Sequence, residues 1–337
     1  MDPVAALDEI AYLLERSLAS GFKTKAFRAA SAALAAIPES KRAALAADGT
    51  LRKTKGIGGT SFEVITEALD GRVPDYLANL RETAGGPLVE GGTGLAATLR
   101  GDLHSHSDWS DGTTSIESMA GTARRLGREY LVLTDHSPHL TVANGLSADR
   151  LRRQLQIVAE LDAELDGFRL LSGIETDILD DGELDQVPEL LDRLDVVVAS
   201  VHSQLRMESA EMTARMLAAV ENPRTTVLGH CTGRLVSGSR GTRPPSTFDA
   251  KAVFAACARN DVAVEINSRP ERRDPPTALI GLALEAGCLF SIDSDAHAPG
   301  HLDFLAYGAA RAEAAGVPAE RIVTTWPVDR LLDWARG

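Results

Sequence analysis

The chain has 337 residues, of which 44% are hydrophobic and 25% charged, with a formal net charge of −13; this is ordinary globular composition, long enough for two domains. No apolar run approaches the roughly 18 residues that span a bilayer, and the start MDPVAALDEIAYLLER is acidic where a signal peptide is basic, so a cytoplasmic protein without a membrane partner is expected. Cys231, Cys257 and Cys288 are odd in number and lack CxxC spacing, which argues against a disulfide framework or a cysteine–zinc module.

Residues 3–82 read as short helices. Apolar positions recur at helical spacing through 4–18, 26–37 and 61–69, and Gly21, Pro38, Gly49 and the glycines at 56, 58 and 59 punctuate them. The segment LRKTKGIGGTSFEVITEAL has the look of a helix-hairpin-helix, in which a tight glycine turn directs backbone N–H groups at a phosphate. Arg52, Lys53 and Lys55 beside Gly56, Gly58 and Gly59 would place positive charge at that turn, which makes these six residues the candidate DNA contacts. Residues 1–84 hold 11 basic and 11 acidic residues, so the whole negative excess lies beyond them, and five of the six lysines fall within the first 55 positions. A packing element with a solvated surface would carry the same pattern. The expected division is a helical domain over 1–83, a flexible glycine-rich linker over 84–98, and a second domain over 99–337.

After Leu99 short apolar runs at 99–104, 130–135, 168–174, 195–201, 226–230, 262–267 and 289–293 alternate with helical stretches. This predicts a parallel βα repeat, closed into a barrel in preference to a doubly wound sheet, with strand ends converging on one face. The candidate ligands stand at those ends. His104 and His106 follow the first run, with Asp111 on the SDG turn; His136 follows the second, Glu175 the third, His202 the fourth, His230 the fifth, and Asp295 with His297 the seventh. Any one of these histidines is more often structural, but nine such residues at successive ends point to metal. Imidazole and carboxylate without thiolate suit zinc, manganese or iron. Clustered divalent ions serve phosphoester hydrolysis, and Arg234, Arg269, Arg272 and Arg273 are placed to meet phosphate oxygens, Arg234 and Arg269 being the catalytic candidates. Asp135, next to His136, is a candidate proton shuttle or histidine-orienting group. His139 and His301, in loops near these segments, are expected behind the ligands or on the substrate side and not among the ligands.

The segments DLHSHSDWSDG, LVLTDHS, GIETDIL, VVASVHS, LGHCTGRL, EINSRP and SIDSDAH together resemble the polymerase-and-histidinol-phosphatase (PHP) family over residues 99–337. The resemblance implies a distorted seven-stranded βα barrel and three divalent ions. One would be held by His104, His106, Glu175 and Asp295, a second by Glu175, His202 and His230, and a third by Asp111, His136 and His297. FKTKAFRAASAALAAIP and LRKTKGIGGTSFEVITEALDGRVP are similar to the N-terminal helical domain of family X DNA polymerases, whose bacterial members carry a PHP module. The polymerase core is missing between the two, and Val64 stands at the family's lyase lysine, so Schiff-base chemistry is not expected. The resulting expectation is a metal-dependent phosphoesterase acting on DNA as a 3′–5′ exonuclease or 3′-end phosphatase. The rivals are a phosphatase for a small phosphorylated metabolite such as histidinol phosphate, and a DNA-binding scaffold with a vestigial site.

Overall fold

A computed structural model describes residues 1–238 and 241–337. The chain divides into two compact units, Met1–Pro87 and Leu88–Gly337.

The first unit is all helical: α1 (Pro3–Arg16), α2 (Gly21–Ala35), α3 (Glu39–Ala47), α4 (Gly59–Leu69) and α5 (Asp75–Ala84). Asp2 caps α1 by accepting from the Ala5 N–H at 2.7 Å, and Pro3 takes the first turn, where its missing N–H costs nothing. Leu7, Ile10 and Leu14 bury the stripe of α1 spaced three and four apart against Phe27, Leu34, Val64, Ile65 and Leu77. Glu15 is 4% exposed and receives the Arg28 guanidinium in bidentate fashion at 2.9 and 2.8 Å, so the one buried carboxylate of this unit among the described residues is paired. Between α3 and α4 a single 3-10 turn, Leu51–Lys53, leads to Gly56, whose φ of +97° is a conformation that side chains rarely adopt.

In the second unit the glycine-rich stretch is partly docked. Residues Thr93–Ala96 form a short helix, α6; Gly92 donates to the Glu313 carboxylate at 2.7 Å, and a Cβ at Gly92 would stand 2.4 Å from the Ala310 backbone. The barrel follows as β1 (Gly101–Ser105), α7 (Ile116–Arg125), β2 (Tyr130–Leu133), α8 (Ala148–Glu164), β3 (Arg169–Asp177), α9 (Pro188–Leu191), β4 (Val196–Ser200), α10 (Ser209–Val220), β5 (Val227–Leu228), α11 (Ala250–Arg259), β6 (Ala263–Asn267), α12 (Thr277–Glu285), β7 (Phe290–Asp293), α13 (Leu305–Ala314) and α14 (Val328–Ala335). All neighbouring strands are parallel and in sequence order, and the ring closes nearly completely through a bridge from Ser105, the last residue of β1, to Ala296 just past β7. Apart from Arg169 and Ser172 of β3 the strand residues are buried, which is why most strands read as short apolar runs. Val196 and Val198 pack with Leu103, Val132, Leu171 and Val227, whereas Val197 and Ala199 pack outward with Met212, Met216 and Phe254. Polar positions gather toward the carboxyl ends of several strands, with Asp102, Ser172, Glu265 and Ser291 as exceptions farther back. Strand β3 extends through Asp177, so Glu175 lies within it and not beyond it, and β5 is two residues long instead of five.

A candidate metal centre at the strand ends

All nine sequence-derived ligand candidates meet at the carboxyl end of the barrel. Glu175 is the hub. Its Oε2 lies 3.3 Å from His104 Nε2, 3.6 Å from His106 Nε2 and 2.9 Å from His136 Nδ1, while its Oε1 lies 3.2 Å from His202 Nε2 and 2.9 Å from His230 Nε2. Asp111 Oδ1 lies 3.4 Å from both His136 Nε2 and His297 Nε2, and Asp295 Oδ1 lies 3.5 Å from His106 Nε2. The SDG turn aims Asp111 because Gly112 packs against the Ser107 backbone, where a Cβ would approach to 2.6 Å. Asp295 takes a φ of +50°, a left-handed conformation that Asp tolerates better than most residues.

These side chains satisfy one another poorly. His104 Nε2, His106 Nε2, His202 Nε2 and Glu175 Oε1 are buried without a hydrogen-bond partner, an arrangement that costs free energy unless something charged sits between them. For ligand bonds of the length zinc makes with nitrogen and oxygen, the edge of a tetrahedron is about 3.3 Å, close to the observed separations. Three groups have ligand atoms within 4.8 Å of one another: His106 with Asp111, His136 and His297; His104 with His106 and Glu175; and His136 with Glu175 and His202. The donor set therefore fits divalent metal binding. The grouping differs from that implied by the resemblance: His106 joins the Asp111 group as well as the His104 group, His136 takes the place of His230 beside Glu175 and His202, and Asp295 stands outside all three. His136 can serve two groups because it faces Asp111 with one ring nitrogen and Glu175 with the other.

The electrostatics point the same way. Burial opposes charge on His202, but Glu175 and Asp177 outweigh it and lift its pKa to about 9, and His104 rises for the same reason beside Glu175 and Glu265. Burial would raise Glu175 and Asp295, yet the surrounding histidines hold Glu175 well below the carboxylate range, and Arg272 and His104 do the same for Asp295. His106 drops to about 3 through burial and the neighbouring His297 and His136. The carboxylates thus draw positive charge into a buried pocket, and protons on His104 and His202 supply it where cations would otherwise do so.

Other predicted residues take different positions. Asp135 is 1% exposed and accepts from the Ser107 N–H at 2.8 Å, the Ser107 hydroxyl at 2.6 Å, the Ser110 hydroxyl and Gln154 Nε2 at 2.6 Å. With both oxygens so occupied it fixes the loop that carries Asp111. Arg234 donates to the backbone carbonyls of Arg272 and Arg273, so its fork clamps a turn. Arg272 is buried and binds Asp295 Oδ2 at 3.1 Å. Arg269 donates to Glu271 and to the Asp295 carbonyl, and lines a cavity of about 210 Å³ with Asp111, Leu235, Ser237, Gly238, Glu271 and His297. His301 accepts from the His297 N–H at 3.3 Å, and His139 is exposed with its backbone tied to Asp185. In the helical unit Arg52, Lys53, Lys55, Gly56, Gly58 and Gly59 are all exposed, and Gly58 and Gly59 border a cavity of about 360 Å³ with Phe22, Lys23, Phe27, Ser61 and Tyr76. Sequence reasoning misses Glu265 and Asp177, which stand behind His104 and His202 at 2.6 and 3.4 Å. Glu265 has a signal: a glutamate in the middle of the apolar strand AVEIN.

Residues 102–269 match the PHP domain family. The DNA polymerase/3′-5′ exonuclease PolX of Bacillus subtilis is 39% identical over 199 residues, which cover 59% of this chain but 34% of that protein, so the match spans about a third of the relative's length. A probable phosphatase of Syntrophotalea carbinolica is 27% identical over 241 residues, covering 68% of this chain and 94% of its own. The structure of histidinol phosphate phosphatase from Lactococcus lactis aligns with a TM-score of 0.49 at 21% identity, covering 65% of this chain and 94% of that one. Among the described residues no helix is long and apolar enough to cross a membrane. With its seven parallel strands and the histidines and carboxylates gathered at their ends, the chain belongs to the PHP family of metal-dependent phosphoesterases.

Proposed function

We propose that this phosphoesterase acts on DNA, as a 3′–5′ exonuclease or 3′-end phosphatase, with the helical unit supplying the DNA contacts. The observation that carries the reading is the exposed cationic turn of Arg52, Lys53 and Lys55 at the glycine-rich entry to α4, on the one part of the chain that is not acidic. Backbone N–H groups at a helix start and flanking cations are the two elements of sequence-independent phosphate binding. The name of the Bacillus relative is consistent with it, although the shared region is only part of that protein.

In this reading three ions, of zinc, manganese or iron, are held by His104, His106, Asp111, His136, Glu175, His202, His230, Asp295 and His297. When bound they would activate water and neutralise phosphoryl charge. Arg269 orients the phosphate: it lines the cavity next to Asp111 and His297, and Glu271, the Asp295 carbonyl and His297 Nδ1, which engage most of its five N–H groups, hold the guanidinium in place there. Asp135 acts by fixing the Asp111 loop.

One observation favours a second reading. The 27% match to a probable phosphatase covers nearly all of that protein, and the cavity beside Arg269 is small enough for a metabolite. Manganese- or zinc-loaded protein incubated with end-labelled single-stranded DNA and, separately, with histidinol phosphate distinguishes the two. Stepwise shortening or loss of a 3′-phosphate is expected; turnover of histidinol phosphate alone overturns the DNA reading.

A further inference from the structure

Strand β6 is the one barrel strand to which no ligand is assigned, yet its inner face reaches the centre. Glu265 and Asn267 are two residues apart, hence on the same side of the strand, and both are fully buried. Glu265 Oε1 lies 2.6 Å from His104 Nδ1. Its Oε2 accepts from the His230 backbone N–H and from Asn267 Nδ2 at 3.2 Å. Asn267 Nδ2 also donates to Asp295 Oδ2 at 3.0 Å, the oxygen that Arg272 holds from the other side at 3.1 Å.

A carboxylate is acceptor-only, so an oxygen 2.6 Å from His104 Nδ1 requires the proton on that nitrogen, and the lone pair of a neutral ring is then on Nε2, which faces Glu175 at 3.3 Å. Asn267 and Arg272 together occupy Asp295 Oδ2 and leave Oδ1 toward His106 Nε2 at 3.5 Å. We infer that Glu265, linked through Asn267 to Asp295, is a positioning residue that selects which atoms of His104 and Asp295 are offered to the ions. This rests on the proposed ligand set.

The chemistry also says why glutamine cannot substitute. Two donors, the His104 ring N–H and the His230 backbone N–H, face the two oxygens of Glu265. An amide has a single acceptor oxygen. Its NH2 would either oppose the His230 N–H or force His104 into the tautomer with the proton on Nε2, where no lone pair remains for a metal.

The test uses the full chain, stripped of metal and titrated with zinc against a chromophoric chelator, with cobalt absorption as the record of coordination. Zinc binding by the unaltered chain checks the ligand set by itself; a chain that binds neither zinc nor cobalt overturns that set and this inference with it. Glu265→Gln should weaken zinc binding by about 10- to 100-fold, the range for outer partners of metal-bound histidine, and should change the cobalt spectrum. It should also shrink the gain in thermal midpoint on adding zinc, which a merely structural role would leave intact. Unaltered zinc affinity and cobalt spectrum in a folded Glu265→Gln protein overturn the inference. If that variant does not fold, Asn267→Ala carries the test, with weaker zinc binding expected and an unchanged affinity and spectrum as the overturning result.

Discussion

The two units handle buried charge in opposite ways. In the helical unit Glu15 is matched by Arg28 and the rest of the interior is apolar but for the uncharged Thr24, Ser31 and Ser61, so no buried charge among the described residues is left over. In the barrel the carboxyl ends of the strands gather Glu175, Asp293 and Asp295 with six histidines, and Asp102 and Glu265 are buried within β1 and β6. Burial drives the Asp102 carboxyl up to about 6, and burial together with the neighbouring Asp102 and Glu265 carboxylates raises Asp293 well above the usual carboxylate range. The lesson is that one unit derives its stability from closing its interior, whereas the other keeps part of its interior electrostatically unfinished and reserves it for cations.

The hub residue gives the largest expected break in this comparison. Glu175→Gln should reduce bound metal and phosphoester turnover by more than about 100-fold, beyond the range for outer partners, and should cost more than Asp111→Asn because five imidazoles face it. Elemental analysis with aryl phosphate kinetics measures both; full metal content and turnover in Glu175→Gln would remove it from the ligand set.

Replacing Lys53 and Lys55 with glutamate tests the other unit. DNA hydrolysis should fall roughly 10-fold or more, and the log–log salt slope of binding should drop by about one for every phosphate no longer held, with aryl phosphate turnover unchanged. Equal impairment on both substrates, or on neither, would move the DNA-binding surface elsewhere.

A smaller effect separates the units by pH in metal-stripped protein. His202 and His104 have folded pKa values raised above the ordinary imidazole value of 6.5, so the stability they add is present below that pH and is lost as pH rises, for His202 through about 9. His106, His230 and His301 are depressed, so their contribution is lost as pH falls below 6.5. The thermal midpoint of the stripped barrel should therefore peak near neutrality and decline on both sides, while added zinc flattens the alkaline limb by replacing those protons. A midpoint that climbs steadily from pH 6.5 to 9 without metal would contradict this pattern of charge.

The smallest expected change is none at all. A chain beginning at Leu88 should fold, bind metal and turn over an aryl phosphate at the rate of the full chain, because α6 and its contacts to Glu313 and Ala310 are retained. Insolubility of that shorter chain would show that the barrel needs the helical unit.

How much of the molecule is legible in its sequence depends on what kind of signal each residue carries. The seven strands stand out because doubly buried strands are apolar runs, and the ligand candidates because histidine and carboxylate at the ends of such runs have few structural uses there. Strand limits are less visible: β3 runs on to Asp177 because its pairing with β4 continues to Ser200, a long-range fact that no local pattern records. Arg234 and Arg269 are alike in sequence context, yet one grips backbone carbonyls and the other borders the site cavity. Only the fold of the 269–273 turn separates them. Glu265 escapes a search for ligands because it faces another side chain and not the centre itself; its role emerges from the ring nitrogen it meets on a strand 161 positions away.

The seam between the units has a consequence for how such chains are assembled. Arg16 holds the carbonyls of Ala84 and Gly86, and Gly92 is fastened to α13 through Glu313, so a handful of residues lies between the two anchors. A Cβ at Gly86 would meet nothing, and the residues around it are exposed. A segment of any length can be spliced in or cut out there without disturbing a packed side chain on either flank. The junction therefore behaves as a cassette port, at which a change of length needs no structural repair on either side.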